Sequence, residues 1–381
     1  MDDMSLELCH CMNVFPGTTP EEKMRAFAGP LADLRHMLPG AMSRPFPVGV
    51  WIDAATASAL QVSGRVGEWT ARIRDQGYYA RTANAFPYGV FHGQEVKTAV
   101  YHPDWTTPER LHFTTAVADI LCELMPDGQD DGAISTLPGG YKEHVPAAKL
   151  PMLAANMLAA AAALRDLRDR RGKTIRLGFE MEPDCLWESV EEFAAFYNRY
   201  IRGHELADFI GVCYDTCHQE VIGARPGAGL DYLAAQGIPV VKIQLSAAVR
   251  APAGRAAKEL LREYFQDRVY LHQTCAVDAA GKVRARWRDL PDALAAELWE
   301  HDWLCHFHVP VYQREFMGGL RAANAELLAV LERLRENPAP QCVLEIETYS
   351  YNVLPDAVKS ASLAACMQQE MAFVQEALGT R

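Results

Sequence analysis

Short apolar runs alternate along this chain with longer stretches whose hydrophobic residues recur at helical spacing. The runs have the length of strands, and the stretches between them have the three- and four-residue period of a helix face. Strands that alternate with helices through short connections form parallel sheets. Eight strands are predicted, at residues 6–14, 48–52, 78–86, 133–137, 175–182, 210–215, 240–245 and 343–348.

Helix boundaries are marked by residues that cap or start helices. Thr19 and Glu22 form a capping box with Pro20 at the first helical position, and Pro108 starts another helix. The predicted helices cover about 20–37, 54–76, 108–125, 150–164, 187–202, 230–236 and 355–378.

Eight strand–helix units predict a closed (β/α)8 TIM barrel in a single domain, residues 1–381. The structural alternative is an open, doubly wound sheet. Such sheets commonly carry a glycine-rich phosphate loop after the first strand. Here that loop reads FPGTTP at residues 15–20, so the barrel is favoured.

After the seventh strand, one segment departs from the alternation of strands and helices. Residues 268–290 alternate polar and apolar positions around the turn 279–282, which is typical of a hairpin, and 303–312 is a further strand-like run. We therefore expect an insertion at 268–312 near the active-site mouth. A lid and an oligomer contact, such as that of a homodimer, are equally compatible with it.

Charge and composition exclude some classes of partner. The formal net charge is −12 and no basic run occurs, which argues against a nucleic-acid partner or an anionic membrane surface. The apolar run 150–164 leads directly into a charged stretch, so we expect a helix with one buried face and no membrane span. The ten cysteines are scattered and no signal peptide is recognised. Reduced thiols and a cytoplasmic location are expected.

Polar residues collect where the predicted strands end. In a parallel barrel these ends build the active site. The acidic pairs at strands five and eight and the histidine pair are each spaced two apart, so both members point to one face. The candidates are Glu180, Glu182, Asp215, His218, Gln244, His306, His308, Glu345 and Glu347.

Several carboxylates in one barrel mouth repel one another unless they are protonated or share a cation. Because histidines and an amide join them, a divalent metal ion (Mn, Mg, Zn or Fe) is predicted at a catalytic site. Simpler interpretations remain for single residues. Asp215 alone is typical of a helix cap and His10 of a core histidine, while His92 follows a strand end and is a weaker candidate.

Three motifs carry a resemblance to a known superfamily. GVCYDTCHQ at 211–219 resembles motifs of endonuclease IV and of sugar epimerases, in the xylose-isomerase-like barrel superfamily. LGFEMEPD at 177–184 and VLEIETYS at 343–350 resemble its metal-ligand strands. Further segments extend over nearly the full length, among them CMNVFPG at 11–17, TANAFPYGVFHGQEVK at 82–97 and IETYSYNVLP at 346–355. Through them the chain resembles the EboE-type metabolite-traffic proteins more closely.

The resemblance implies metal ligands at Glu180, Asp215 and Glu347. Gln244 stands where the superfamily usually has a histidine, which leaves open whether Gln244 or one of His306 and His308 is the fourth ligand.

The resulting hypothesis is a metal-dependent isomerase or epimerase of a sugar, sugar phosphate or cyclitol, with proton transfer through an enediolate. Glu180 and Glu347 are the expected base and acid. The alternatives are a phosphoester hydrolase with two or three ions and a non-catalytic binding barrel. Expected substrate-binding residues are Glu182, His218, His308, His272, His92 and Asn84.

Overall fold

The computed structural model describes residues 7–339 and 342–379, and its strands form two sheets. The first seven strands, all parallel, are β1 (Leu8–His10), β2 (Phe46–Trp51), β3 (Tyr78–Asn84), β4 (Asp131–Thr136), β5 (Thr174–Glu180), β6 (Ile210–Asp215) and β7 (Val240–Leu245). Six antiparallel strands follow: β8 (Ala247–Ala251), β9 (Thr274–Val277), β10 (Val283–Trp287), β11 (Asp302–Val309), β12 (Glu315–Phe316) and β13 (Leu320–Ala323). The chain then returns to the first sheet with β14 (Val343–Ile346).

The parallel strands close into a barrel. Their order is β1-β14-β7-β6-β5-β4-β3-β2, and a parallel bridge between Cys11 and Gly49 brings the two edge strands together. The predicted (β/α)8 barrel is confirmed. All eight predicted strands are present. The first is shorter than 6–14, and Leu6 lies outside the described residues.

Helices cover the outside of the barrel, and two predicted long helices are each divided in two. Pro30 cannot donate its backbone nitrogen to a continuing helix, so the predicted helix 20–37 ends at Ala28 and restarts. Gly64 adopts a left-handed conformation that interrupts the helix predicted at 54–76. The helices are α1 (Pro20–Ala28), α2 (Pro30–Met37), α3 (Ala54–Val62), α4 (Val66–Asp75), α5 (Pro108–Leu124), α6 (Leu150–Arg171), α7 (Val190–Tyr200), α8 (Thr216–Val221), α9 (Ala228–Gln236), α10 (Arg255–Tyr264), α11 (Leu290–Ala296), α12 (Ala325–Glu336) and α13 (Leu363–Leu378).

The antiparallel sheet begins with β8, which follows directly after β7. Its order is β10-β9-β11-β8-β13-β12, and the predicted hairpin is its β9–β10 edge. The sheet extends from Ala247 to Ala323, further in both directions than the predicted insertion at 268–312. β8 and β13 are short and Ala-rich, so their sequences lack the β-branched alternation that marks a strand. Through β11, this sheet places two histidines beside the barrel strands.

An ion pair lies inside the barrel. Lys242 Nζ is 2.5 Å from Glu345 Oε1 and donates to the Ser135 hydroxyl at 2.9 Å, and Lys242 and Glu345 are both fully buried. Gly49 on β2 provides the space for Glu345, because a Cβ atom there would lie 1.6 Å from Glu345 Oε2. Of the two acidic residues on the last strand, Glu345 therefore belongs to the barrel interior.

The helical segment 147–171, which contains α6, is long and apolar enough to cross a membrane by length and composition alone. In this structure one face of α6, including Leu153, Met157 and Leu164, is buried, and the helix packs on α5 and β5. The packing is that of an outer barrel helix. All ten cysteines are free and buried.

Candidate active site

Asp215 ends β6 and serves two roles at once. Its Oδ1 atom accepts the backbone N–H of His218 at 3.0 Å, which caps α8, and the Ser246 hydroxyl at 2.7 Å. Its Oδ2 atom is buried without a hydrogen-bond partner among the described residues. Burial raises the pKa of Asp215, but His218 and His308 outweigh it and hold that pKa below its usual value. One oxygen of Asp215 therefore caps α8, and the other is a candidate metal ligand.

Glu180, at the end of β5, is buried and accepts no hydrogen bond from any described residue. Burial first, and then the charge of Asp215, raises its pKa well above the usual value. A buried carboxylate without a donor is costly unless it holds a proton or a cation. Glu180 therefore favours a bound proton, whereas the free oxygen of Asp215 presents negative charge close to it.

Glu347, one residue beyond β14, is held by two amides. Its Oε1 atom accepts from Asn13 Nδ2 at 2.6 Å and from Asn84 Nδ2 at 3.0 Å. Asn84 was expected at the site from sequence. Asn13 was not, although it follows the end of the first strand and this position could have indicated it. Burial and Glu180 raise the pKa of Glu347 well above its usual value.

His306 and His308 project from β11, and their hydrogen bonds determine which ring nitrogen carries the proton. The Nδ1 atom of His306 lies 2.6 Å from the amide oxygen of Gln273, and that of His308 lies 2.8 Å from the backbone oxygen of Glu347. Both oxygens can only accept, so each Nδ1 atom donates. In the neutral rings each Nε2 atom then carries a lone pair.

These two Nε2 atoms face each other at 3.3 Å. Burial lowers the pKa of His308 to about 4 and that of His306 well below its usual value, so both rings are neutral near pH 7. Two lone pairs at this separation repel each other unless a cation lies beside them. The arrangement fits a divalent metal ion, for which neutral imidazole is a common ligand.

His218 is the third histidine of the candidate site, after His306 and His308. It lies within α8, and its buried Nδ1 atom has no described partner. One ligand atom each from Asp215, His218 and His308 lie within 4.8 Å of one another, and so do atoms from Glu182, His218 and His306. A third such group joins Cys217 to His306 and His308. The residues present therefore suit a metal ion with mixed oxygen and nitrogen ligands.

Gln244 is placed differently from the expected fourth ligand. Its oxygen accepts from the Cys213 thiol at 3.1 Å, and its Nε2 atom is buried without a described partner. In this orientation the oxygen that would bind a cation is turned toward β6. His306 and His308 on β11 each have a free lone pair, whereas the oxygen of Gln244 is already occupied by Cys213.

Two other expected substrate-binding histidines lie beside the site and do not line it. His92 has both ring nitrogens engaged, with the backbone oxygen of Asn13 at 2.6 Å and the Tyr270 hydroxyl at 2.7 Å. His272 bonds to the backbone oxygen of His306 and to Asp267, and its ring stacks on Phe307. Neither ring has a nitrogen left for a substrate, so the structure places both in supporting positions. His10 pairs with Glu370 at 2.8 Å and is a core residue.

A hydrogen-bond network that the sequence analysis did not predict supports the residues of the site. Gln273 donates to the Tyr101 hydroxyl at 3.1 Å while its oxygen accepts from His306, and Tyr101 donates to Glu182 at 2.7 Å. Gln273 thereby fixes the ring orientation of His306, and Tyr101 fixes Glu182. The run of apolar and polar residues around Gln273 carries no motif that could have indicated this role.

Replacing Gln273 by Leu should weaken metal binding. The change removes the acceptor that holds the His306 proton on Nδ1, and loss of such a supporting partner typically costs about 10–100-fold in metal affinity. Titration of the metal-stripped protein with Zn²⁺ or Mn²⁺ would measure it. Gln313→Leu, which alters a glutamine bonded to Val358 instead of a site residue, is the control. Equal affinities in the two variants would contradict the positioning role.

The polar groups face a partly open chamber. Glu180, Glu182, His218, His306 and Glu347 line its inner end, with Asn13 and Asn84 beside them. The segments that follow β3 and precede β9 cover the rest. Asp215, Gln244 and His308 are not among the lining residues.

No family model matches the sequence, and no curated protein matches it either. Solved structures are similar over nearly the whole chain. A xylose isomerase-like TIM-barrel protein from Mycobacterium smegmatis, in complex with magnesium, aligns over 99% of this chain and 98% of that one with a TM-score of 0.54 at 11% identity. The fold is that of the xylose isomerase-like TIM barrels.

Two further structures are similar in the same way. The IolI protein with a bound zinc atom covers 98% of both chains with a TM-score of 0.52 at 10% identity. A D-tagatose 3-epimerase-like protein covers 97% of this chain and 99% of its own with a TM-score of 0.50 at 11% identity. At such identities the likeness shows the fold alone. The resemblance to EboE-type proteins stays a prediction.

Proposed function

We propose that this protein is a metal-dependent isomerase or epimerase of a small hydroxy-carbonyl compound of the sugar or cyclitol type. One observation carries the proposal. A buried oxygen of Asp215 lacks a partner close to His218 and His308, the lone pairs of His306 and His308 face each other, and Glu180, His218 and His306 line the inner end of a partly open chamber. Zinc and magnesium in barrels of the same fold agree with it.

Asp215, His218, His306 and His308 are the residues that would hold the ion, whereas Glu180 and Glu347 belong to none of the groups of mutually close ligand atoms among the described residues. A bound divalent cation acts as a Lewis acid on a carbonyl oxygen and acidifies the adjacent C–H group. The protein must then move a proton from one carbon face or atom to another.

Glu347 and Glu180 are suited to the two proton transfers. Burial and neighbouring carboxylates raise the pKa values of both groups, but Glu347 alone of the two accepts hydrogen bonds from amides, which stabilise its charged form and make it the better base. Glu180 has no hydrogen-bond donor among the described residues to stabilise its charge, and burial favours its protonated form, which suits an acid. Two carboxyl groups whose surroundings differ in this way provide the acid and the base of one reaction. Glu182, fixed by Tyr101, remains to bind a hydroxyl group.

Metal-dependent phosphoester hydrolysis is a second candidate. The observation that favours it is that the groups of ligand atoms overlap at His218, His306 and His308, so the side chains present are numerous enough for more than one ion. Hydrolases that use two ions clamp the attacking and leaving oxygens between them. The number of ions bound therefore separates the two functions.

Elemental analysis of the purified protein should find one divalent ion per chain, and Asp215→Asn should remove most of it. Losing a direct ligand should cost more than the roughly 10–100-fold typical of a supporting residue. Asp208→Asn, at the exposed opposite end of β6, should keep the metal. Protein that binds no metal after growth in replete medium would contradict the proposal. Two or three ions per chain would favour hydrolysis.

A further inference from the structure

The lining of the chamber changes in character from its inner end to its outer part. The strand ends contribute carboxylates, imidazoles and amides, whereas the connections beyond them contribute mainly apolar side chains. These connections are fastened together, because the backbone N–H groups of Val96 and Lys97 donate to the Val269 oxygen at 2.8 and 3.1 Å. The apolar lining includes Phe86, Phe91, Val96, Val100, Leu271 and Tyr349.

Aromatic rings connect this apolar lining to the candidate metal centre. The rings of Phe91, Tyr270 and Tyr349 pack on one another with centroids 5.0–5.3 Å apart. The Tyr349 ring in turn lies 4.6 Å from that of His308. A ligand held at the inner end therefore meets a hydrophobic surface directly beside it.

The chamber offers no free positive charge from its described lining. Lys97 is the one lysine or arginine among those residues, and its Nζ atom lies 2.6 Å from Asp289 Oδ2. Asp289 is itself fixed, because its other oxygen accepts the backbone N–H groups of His272 and Leu290, each at 3.0 Å. A phosphate group in the outer part of the chamber would therefore meet no unpaired lysine or arginine among the described lining residues.

We infer that the substrate is a neutral hydroxy-carbonyl compound that carries an apolar substituent, such as an aryl or branched alkyl group, and no phosphate. This inference rests on the proposed function for the position of the polar head. A ligand with hydroxyl groups on every side would leave several of them unpaired against this lining, which is unfavourable. Aromatic rings can stack on a sugar face, but Val96, Val100 and Leu271 cannot, and they suit only an apolar group.

Three hydroxamates test the inference, because they share a head that binds divalent ions through two oxygens and differ only in their tails. Calorimetric titration of the metal-loaded protein would compare acetohydroxamate, benzohydroxamate and phosphonoacetohydroxamate. Benzohydroxamate should bind about 10- to 100-fold more tightly than acetohydroxamate, as expected for burying one aromatic ring. Phosphonoacetohydroxamate should bind no more tightly than acetohydroxamate. Equal binding of the first two, or tightest binding of the third, would overturn the inference.

Two variants and one control variant test which residues determine the preference among the hydroxamates. Val100→Asn should remove most of the preference for benzohydroxamate and leave acetohydroxamate unchanged, while Val90→Asn, at an exposed position of the same connection, should alter neither. Asp289→Asn keeps a side chain that can cap α11 but frees the charge of Lys97, so binding of phosphonoacetohydroxamate should tighten. If the preference survives in Val100→Asn, the apolar lining is not its cause and the inference fails.

A metal-free experiment separates this inference from the proposed function. Ligand-observed NMR would follow benzyl alcohol with the metal-stripped protein and with its Val100→Asn variant. Binding that the variant loses supports the apolar subsite, even if the hydroxamates show no dependence on metal and the proposed function therefore fails. Absence of benzyl alcohol binding together with equal hydroxamate affinities overturns the inference while leaving the metal centre intact.

Discussion

Replacing Glu347 by Gln should slow the exchange of substrate C–H protons with solvent deuterium by about 10²–10⁴-fold, the usual contribution of a positioned general base. Gln keeps the size of the side chain and an oxygen that can accept from Asn13 and Asn84. The change therefore removes the proton acceptor and preserves the surroundings. Exchange would be measured by NMR in D₂O with the metal-loaded protein, on a panel of neutral ketoses, keto-cyclitols and hydroxy-ketones that carry an aryl or branched alkyl group.

Glu300→Gln makes the same chemical change at an exposed site and should exchange at the wild-type rate. Metal content must be measured in each protein, because a loss of exchange that follows a loss of metal would report ligation and not proton transfer. If Glu347→Gln keeps both its metal and its exchange rate, Glu347 is not the base. Glu180→Gln should also slow exchange, because it removes the proposed acid.

The barrel strands were predictable from sequence because burial on both faces leaves continuous apolar runs. The convergence of Glu180, Asp215 and Glu347 also followed, since the carboxyl ends of parallel barrel strands share one rim. Position along a strand did not distinguish Glu345 from Glu347. Both point inward, and only the three-dimensional neighbours, Lys242 for one and two asparagines for the other, separate their roles.

The antiparallel sheet and its consequences were less predictable. Its strands β8 and β13 are too short and Ala-rich to stand out, and β8 pairs with β11 across more than fifty residues of chain. The lone pairs of His306 and His308 depend on acceptors supplied by Gln273 and by the backbone of Glu347, which no spacing in the sequence reveals. For the same reason His92 and His272 were expected to contact substrate, whereas their ring nitrogens are occupied by protein groups.

The ion pair between Lys242 and Glu345 connects the stability of the barrel to its candidate site. Lys242 lies below the carboxylates, and its charge lowers the pKa values of both Glu180 and Glu347 against the stronger effect of burial. Removing one partner of a buried pair leaves an uncompensated charge in an apolar interior. The glycine that provides the space for Glu345 is therefore a sensitive position.

Gly49→Ala should lower the free energy of unfolding by about 3–5 kcal/mol, the typical cost of breaking a buried ion pair. The added Cβ atom would lie 1.6 Å from Glu345 Oε2, so the carboxylate must move away from Lys242. Equilibrium urea denaturation would measure the change. Gly67→Ala is the matched control, since a Cβ atom there meets nothing within 4 Å and the helical position of residue 67 in α4 favours alanine. If both variants unfold at the wild-type urea concentration, Glu345 can leave Lys242 at little cost, and the pair does not hold the barrel interior together.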